Sequence, residues 1–330
     1  MPSQTGENII QTAPWTPAPW DGGITAFAYM ESLSMRHKLV EQMLTIRLVE
    51  DRLQDLCNQG LAGDLHFSKG QEAISVGVMA ALRQTDYVVT HHRTIAHAIA
   101  RGVPLRPLLA EILGKAEGIN GGMAGEMHLS YPKMRFLFSF QLVGTCVPVA
   151  AGVAWAIKNH LKTDDIVTVF FGDAATANGQ FHEGLNIAAV QSLPLLLVCE
   201  NNRLAGNVRP EHYMPTESVV ERASGYYIRG EVVDGNNVEA VLAAAMRAAA
   251  YVRRESKPFL LECETTRLGK HKQGQGDLRT KEEIAELAKR DPLKPEDLQS
   301  ANRTLVEAMV NNMIREALAG PDPMAPKESV

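Results

Sequence analysis

The chain has few cysteines and no excess of positive charge. Four cysteines among 330 residues are scattered without CxxC spacing, which argues against a disulfide framework or a zinc site and favours reduced thiols in the cytoplasm. The formal net charge is −5 and the pI about 6.1, so there is no basic surface suited to nucleic acid or an anionic membrane. We therefore expect a cytoplasmic protein that binds neither.

Long hydrophobic runs are also missing. No stretch of about 18 apolar residues occurs, and no basic segment followed by an apolar one opens the chain, which predicts neither a membrane span nor a secretory signal. The richest segment, residues 142–157, is interrupted by Pro148 and by glycines. Hydrophobic residues nevertheless make up 45% of the chain, enough for the core of one large α/β domain with extensions.

Proline is concentrated at the start of the chain, where the first 23 residues contain four prolines and two tryptophans. Proline disfavours regular secondary structure, so residues 1–31 are predicted to form an extended N-terminal arm. The sequence leaves open whether this arm is disordered or packs on a partner. Trp15 and Trp20 favour packing, because disordered tails are usually poor in aromatic residues.

Apolar residues spaced three and four apart predict several helices. The first begins near Ser32, and others are predicted at residues 71–82, 103–114 and 148–162. Residues 117–129 are too rich in glycine for a helix or strand and are predicted to form a loop.

Short, nearly continuous apolar runs predict strands buried on both faces at residues 165–172, 193–201 and 257–266, with a weaker one at 225–233. Residues 177–192 separate the first two runs and are typical of a helix with Asn178 as its N-cap. A strand, helix and strand of this length form a βαβ unit with parallel strands. We therefore expect an α/β fold, mainly a parallel sheet flanked by helices.

The predicted organisation is one α/β domain at residues 32–280, followed by residues 281–330 as a helical extension of the same domain. In this extension Thr280 is the expected N-cap of a first helix, and a break at Asp291-Pro292 precedes a second, long amphipathic helix.

Polar residues end two consecutive predicted strands. Asp173 follows the first and Asn202 the second, and ligands of open parallel sheets collect at the carboxyl ends of the strands. Taken separately, a Gly-Asp turn or an Asn pair is more often a turn signal than a ligand. Jointly, the carboxylate and the amide oxygen suit Mg²⁺, which commonly takes one or two protein carboxylates together with phosphate oxygens. The pair therefore predicts a metal–diphosphate site.

Residues 172–202 resemble the GDG…NN signature of thiamine-diphosphate enzymes, and more closely the alpha subunit of two-chain 2-oxo acid dehydrogenase E1 components of the pyruvate and acetoin branches. Further blocks resemble this family in the same order: LHFSKGQEAISVG (65–77), THHRTIAHAIARGV (90–103), GKAEGINGGMAGEMHL (114–129), LVGTCVPVAAGVAWA (142–156) and TTRLGKHKQGQGD (265–277). The resemblance covers about residues 35–300 and implies the thiamine-diphosphate-binding fold.

This resemblance also implies the roles of individual residues. The side chains of Asp173 and Asn202 and the carbonyl of Leu204 would bind Mg²⁺. Contacts to the cofactor, thiamine diphosphate, are implied for the following residues: backbone of Ala174 and Ala175 at the diphosphate, Arg93 paired with it, His92 in the place of a cofactor-binding tyrosine, backbone of Val143 at the aminopyrimidine, and His271 at the phosphates. Catalytic roles are implied for His271 and for His66, which would face the substrate, although His66 between Leu65 and Phe67 is equally typical of a packed core histidine.

The activity that the resemblance implies is cleavage of the C–C bond next to a carbonyl, in a 2-oxo acid such as pyruvate or an acetoin-like α-hydroxyketone. The acyl unit would pass to a lipoyl acceptor, which makes a lipoyl acyltransferase a further partner. In two-chain forms the glutamate that activates the cofactor belongs to the β subunit, and no β-type block occurs here. The resemblance therefore implies a half-site protein that works with a β subunit, most simply as an α2β2 heterotetramer.

Four departures from the family pattern leave the substrate open. Ala174 replaces the second glycine of GDG, Ile95 replaces a histidine, Phe140-Gln141 replaces smaller residues, and the loop 269–277 is longer and more basic. Two alternatives therefore stand beside the dehydrogenase: acyl transfer to another carbonyl without redox chemistry, and a non-catalytic scaffold subunit. A Rossmann nucleotide binder lacks support, because no GxGxxG follows a strand.

Overall fold

The computed structural model of the chain describes residues 34–300 and 302–324. The predicted N-terminal arm, residues 1–31, lies outside the described residues and stays a prediction. The domain boundary at residue 280 also remains a prediction.

A six-stranded parallel sheet forms the centre of the molecule. Its strands, in chain order, are β1 (Tyr87–His91), β2 (Phe136–Phe140), β3 (Val167–Gly172), β4 (Leu195–Asn201), β5 (Arg229–Asp234) and β6 (Phe259–Glu264). They lie side by side in the order β2-β1-β3-β4-β6-β5, and every neighbouring pair is parallel. This confirms the predicted α/β class with a parallel sheet flanked by helices.

Eleven α-helices occur among the described residues. In chain order they are α1 (Met35–Asn58), α2 (Glu72–Ala81), α3 (Ile95–Arg101), α4 (Leu105–Ile112), α5 (Cys146–Ala156), α6 (Gly179–Val190), α7 (Val219–Ser224), α8 (Val238–Glu255), α9 (Lys281–Ala288), α10 (Pro295–Ser300) and α11 (Arg303–Leu318). None within residues 34–300 and 302–324 has the length and apolar character to cross a membrane.

Alternation of side chains along the central strands creates two apolar cores, one on each face of the sheet. In β3, Phe170 packs into the core shared with α1, α2 and α8, whereas Val169 and Phe171 pack into the core shared with α5 and α6. Successive side chains of a strand point to opposite faces, and here both faces are covered. Burial on both sides explains why these strands are continuous apolar runs in the sequence.

The predicted βαβ unit is confirmed as β3, α6 and β4. The two strands pair in parallel from Val167 with Leu195 to Gly172 with Glu200. Asn178 is the N-cap of α6, and its side chain accepts a hydrogen bond from the backbone N–H of Gln180. Thr280 likewise caps α9 through a capping box with Glu283.

The C-terminal extension is divided more finely than predicted. The expectation of two helices after Thr280 is wrong, because α9, α10 and α11 follow one another there. The side chain of Asn302 accepts a hydrogen bond from the Leu305 backbone N–H and starts α11 anew. Helix α11 packs against α1 and α4, and its buried side chains, among them Val310 and Ile314, join the larger core.

The glycine-rich segment 117–129 forms a loop, as predicted, and a buried carboxylate holds it in place. Glu111, at the end of α4, is fully buried. Its two oxygens accept hydrogen bonds from four backbone N–H groups of the loop, those of Asn120, Gly122, Ala124 and Gly125, at 2.6–3.3 Å. A single side chain thereby satisfies backbone donors that no helix or strand satisfies.

Candidate active site

A cavity of about 290 Å³ lies at the carboxyl ends of β1, β3 and β4. Parallel sheets place their ligand sites at this edge. Nine of the ten predicted site residues line it: His92, Arg93, Val143, Asp173, Ala174, Ala175, Asn202, Leu204 and His271. The tenth, His66, lies beside the cavity rather than on its wall.

Asp173 and Asn202 meet in the cavity, as the order of the strands requires. Asp173 is 1% exposed, and burial raises the pKa of its carboxyl group, although a hydrogen bond from the Tyr213 hydroxyl and the backbone N–H of Asn202 oppose this shift. The side-chain Nδ2 of Asn202 donates to the side-chain Oε1 of Gln71 at 2.7 Å, and its Oδ1 accepts from the backbone N–H of Leu204 at 3.1 Å. Two oxygen-bearing side chains are therefore held at one point of the cavity.

The short turn after β3 determines how closely a ligand can approach the backbone. Residues Asp173–Ala177 form one 3₁₀ turn that starts directly at the strand end. Ala174 is absent from the residues with positive φ, so its methyl group adds no backbone strain. The substitution of glycine by Ala174 is thus compatible with the local geometry. Across the cavity, Val143 is 41% exposed at the mouth.

Arg93 links two segments of the cavity wall. Its guanidinium is buried, and Nη1 donates to the carbonyl oxygens of Phe67 at 2.5 Å and His271 at 3.2 Å. Its Nη2 lies 3.2 Å from Nδ1 of His271. Because arginine can only donate, this contact makes Nδ1 the acceptor and leaves the proton of a neutral His271 on Nε2. Burial, followed by the charge of Arg93, lowers the pKa of His271 to about 4.

Three histidines come together around the mouth of the cavity. The ring of His66 lies 4.8 Å from that of His92 and 5.2 Å from that of His271, centre to centre. Burial is the main cause that lowers the pKa of both His66, to about 4, and His92. All three imidazoles are therefore neutral near pH 7. His66 is 8% exposed and therefore packed, and its ring also contacts two other residues of the candidate site.

A buried cluster at the cavity, two members of which line its wall, was not predicted. Glu200, near the end of β4, accepts hydrogen bonds from Nε2 of His91 and Nε2 of His97, both at 2.8 Å. Burial alone would raise the pKa of Glu200, but the two histidines hold it well below its usual range. His97 is fully buried. The signal that could have revealed the cluster is an acid inside an apolar strand, which needs a partner.

Two further polar residues of the site region were also not predicted. Glu126 contacts His66, with its Oε1 atom 2.6 Å from the imidazole Nδ1. Arg267 is 1% exposed and donates through Nη2 to the carbonyl oxygen of Gly206, a cavity residue, at 2.7 Å. Its Nε and Nη1 atoms are buried without a hydrogen-bond partner among the described residues. Unpaired buried donors of this kind are rare and fit an anionic ligand.

Comparisons with known proteins show the family to which the chain is similar. Residues 40–318 match the family model of the dehydrogenase E1 component. The chain is 38% identical over 259 residues to the alpha subunit of acetoin:2,6-dichlorophenolindophenol oxidoreductase from Bacillus subtilis, which covers 78% of each protein. It is 33% identical over 313 residues to the chloroplastic pyruvate dehydrogenase E1 component subunit alpha-3 of Oryza sativa, covering 89% of this chain and 74% of that protein. The corresponding acetoin protein of Cupriavidus necator is 34% identical over 300 residues, 86% and 89% of the two chains.

Proposed function

Since this chain belongs to the dehydrogenase E1 component family, whose model matches residues 40–318, we propose that it is the alpha subunit of a two-chain enzyme that uses thiamine diphosphate and Mg²⁺. The enzyme cleaves the C–C bond next to the carbonyl of a 2-oxo acid or an acetoin-like α-hydroxyketone and passes the acyl unit to a lipoyl acceptor. Relatives named as acetoin and pyruvate enzymes support both substrate classes.

The observation that carries this proposal is the cavity in which nine predicted cofactor and metal residues converge. Asp173, Asn202 and the Leu204 carbonyl would hold the metal, because carboxylate, amide and carbonyl oxygens are the ligands that Mg²⁺ prefers. The buried N–H groups at Nε and Nη1 of Arg267 have no hydrogen-bond partner among the described residues, which supports an anionic ligand near the site. The residues present therefore fit a metal-bound diphosphate.

The remaining residues would bind and orient the cofactor and handle protons. The guanidinium of Arg93 and the Nε2–H of His271 would donate hydrogen bonds to the diphosphate. The backbone of Ala174 and Ala175 would also contact the diphosphate, and the backbone of Val143 would hold the aminopyrimidine. When bound, thiamine diphosphate supplies an electron sink for a carbanion next to the carbonyl carbon. His66 would take up and return protons at the substrate, whereas His271, whose Nδ1 accepts from Arg93, would act as a hydrogen-bond donor through its Nε2–H.

A β subunit is the proposed partner, in an α2β2 heterotetramer. The relatives are named as alpha subunits, and the mouth of the cavity supports a covering chain. Val143 lines the cavity and is 41% exposed, and the neighbouring Leu142 is 70% exposed. Apolar side chains of this size at an open site are typical of a surface that another protein covers. The cytoplasmic location expected from the free thiols and a lipoyl acyltransferase partner belong to the same proposal.

The first test is titration of thiamine diphosphate and Mg²⁺ into the purified complex of this chain with its β subunit. We expect saturable binding that needs both components. Absence of binding at millimolar concentrations would refute the enzyme proposal and favour a non-catalytic scaffold. The second test is product analysis with pyruvate and acetoin, with and without a lipoyl acceptor. Carbon–carbon coupling at full rate without any acceptor would replace the dehydrogenase assignment by acyl transfer without redox chemistry.

A further inference from the structure

Glu126 is a buried carboxylate whose hydrogen bonds are all directed at one histidine. Its two oxygens accept from the backbone N–H of His66 at 2.9 and 3.0 Å, and Oε1 lies 2.6 Å from Nδ1 of the same residue. Glu126 is 4% exposed, so this contact is shielded from water. Within the described part of the chain, no other residue forms a hydrogen bond with it.

The loop that carries Glu126 does not need this carboxylate as an anchor. Glu111 already satisfies four backbone N–H groups of the segment 117–129. A structural anchor bonds several residues of the segment that it holds, whereas Glu126 reaches across to a residue 60 positions away. The hydrogen bonds of Glu126 therefore hold His66 in place and do not hold the loop 117–129.

The contact determines which nitrogen of His66 is available to a ligand. Both oxygens of Glu126 accept from the backbone N–H of His66, which favours the ionised carboxylate. An ionised carboxylate can only accept hydrogen bonds, so the Nδ1 atom carries the proton and Nε2 is left with its lone pair. Carboxylates that bond one imidazole nitrogen are a general means of fixing the tautomer and stabilising the imidazolium that forms when the other nitrogen takes up a proton. Resting on the proposed function, we propose that Glu126 is a positioning residue that makes His66 Nε2 the proton acceptor of the active site.

The environment of the pair opposes protonation of His66 unless Glu126 supplies a negative charge. Burial, Arg93 and Lys272 lower the pKa of His66, and Asp64 opposes them. The neighbouring rings of His92 and His271 are neutral. Burial raises the pKa of Glu126, whereas the backbone N–H of His66, followed by Arg93 and Lys272, lowers it.

Each member of the pair is therefore costly to ionise alone, whereas an imidazolium next to a carboxylate has no net charge. Uptake of a proton at Nε2 is favoured as long as Glu126 supplies the opposite charge. The pair acts as one acid–base unit, and its proton affinity depends on Glu126.

Metal binding by the histidine cluster is the competing explanation of the same geometry. The ligand atoms of His66, His92 and His271 lie within 4.8 Å of one another. A metal needs a lone pair from each imidazole, but Arg93 donates to Nδ1 of His271 and leaves the proton on its Nε2. The donor set therefore favours proton transfer at His66 over a three-histidine metal site.

The test measures the protonation of His66 directly, in the cofactor-free complex with the β subunit. Exchange of the imidazole C2 hydrogen for deuterium, followed by mass spectrometry of the His66 peptide over a range of pH, gives the midpoint of its titration. Replacement Glu126→Gln keeps the size of the side chain and removes its charge. We expect the midpoint to fall by about 1 to 3 in pH, the usual effect of losing an opposite charge in contact.

The matched control is Glu50→Gln, which replaces another buried carboxyl group, one in helix α1 that bonds to the same segment as Glu126 does. Glu50 accepts from the backbone N–H and the hydroxyl of Ser68, two residues after His66, and does not touch the imidazole. We expect the His66 midpoint to stay unchanged in this variant. Glu126→Met provides a second neutral variant, and either folded variant is sufficient for the test.

Kinetics of the loaded complex provide the second readout. We expect Glu126→Gln to lower kcat/KM by about 10²- to 10⁴-fold, the range of a lost acid–base function, and to shift its pH profile to lower pH. Affinity for thiamine diphosphate should not change. An unchanged His66 midpoint in Glu126→Gln, or an equal shift in Glu50→Gln, would overturn the inference even if the enzyme is active. Because the exchange needs no turnover, failure of the proposed function would leave this test intact.

Discussion

Replacing Asp173 by asparagine should separate the stability of the protein from its affinity for metal. The carboxylate is buried, accepts from the Tyr213 hydroxyl and has the Asn202 N–H as a second donor. Asparagine can keep both contacts, because a hydroxyl group can donate or accept. The substitution Asp173→Asn therefore removes a charge and little else.

The expected effects have opposite signs. Burial raises the pKa of Asp173, so ionisation of this group costs folding stability as the pH rises above its unfolded value. The cofactor-free variant should thus unfold at the same temperature as wild type or a higher one near pH 7. Metal affinity should fall, since one unit charge pair at 4 Å contributes about 4 kcal/mol at an effective dielectric constant of 20. We expect about 10³-fold weaker Mg²⁺-dependent binding of thiamine diphosphate.

The assay combines thermal unfolding of the cofactor-free complex with calorimetric titration of Mg²⁺ and thiamine diphosphate. Asp86→Asn is the matched control. Asp86 is fully buried and pairs with Arg253 at 2.8 Å, but it precedes β1, at the opposite end of the sheet from the cavity. That variant should lose about 1.5–3 kcal/mol of stability and keep its affinity. Wild-type affinity in Asp173→Asn would refute the metal assignment.

Three further predictions test the frame around the site, the first two by thermal unfolding of the complex and the third by hydrogen exchange. Gly184→Ala should lower the free energy of unfolding by about 1–3 kcal/mol, because the added Cβ would lie 2.8 Å from Val147 Cγ1. The Cβ of Gly179→Ala meets no atom within 4 Å, so this variant should be as stable as wild type. Equal effects of the two substitutions would contradict this packing. Burial and then Glu72 raise the pKa of Glu50 to about 8. Wild type should therefore lose stability as the pH rises from about 4.5 to 8, and Glu50→Gln should lack this loss. An equal pH dependence of stability in the variant and wild type would disprove the role of Glu50. Glu111→Gln should speed hydrogen exchange at residues 120–125, and unaltered exchange would speak against its anchoring role.

Much of the sheet was predictable because burial on both faces leaves a direct trace in the sequence. Strands β3, β4, β5 and β6 were found as apolar runs. Strands β1 and β2 were not, because β1 has only three apolar residues before Thr90 and His91, and β2 is a partly exposed edge strand. Helices α3 and α8 were also missed, although α8 has seven buried residues at helical spacing.

The candidate site divides in a similar way. The residues at strand ends, such as Asp173 and Asn202, could be placed together because parallel strands end at a common edge. Contacts between distant segments had no local signal. Glu126 meets His66 across 60 residues, and Glu200 meets His91 across 109. Such pairs depend on how loops pack over the sheet, which periodicity and caps do not encode.

The anchoring of segment 117–129 by Glu111 has a consequence for the entropy of ligand binding. Ordering a free backbone costs about 1–2 kcal/mol per residue, and a glycine-rich loop would bear much of this cost when a ligand arrives. Here four of its N–H groups are bonded to one carboxylate before any ligand is present. The conformational entropy is thus lost during folding, and the side chain that the loop brings to His66 is already in position when substrate binds.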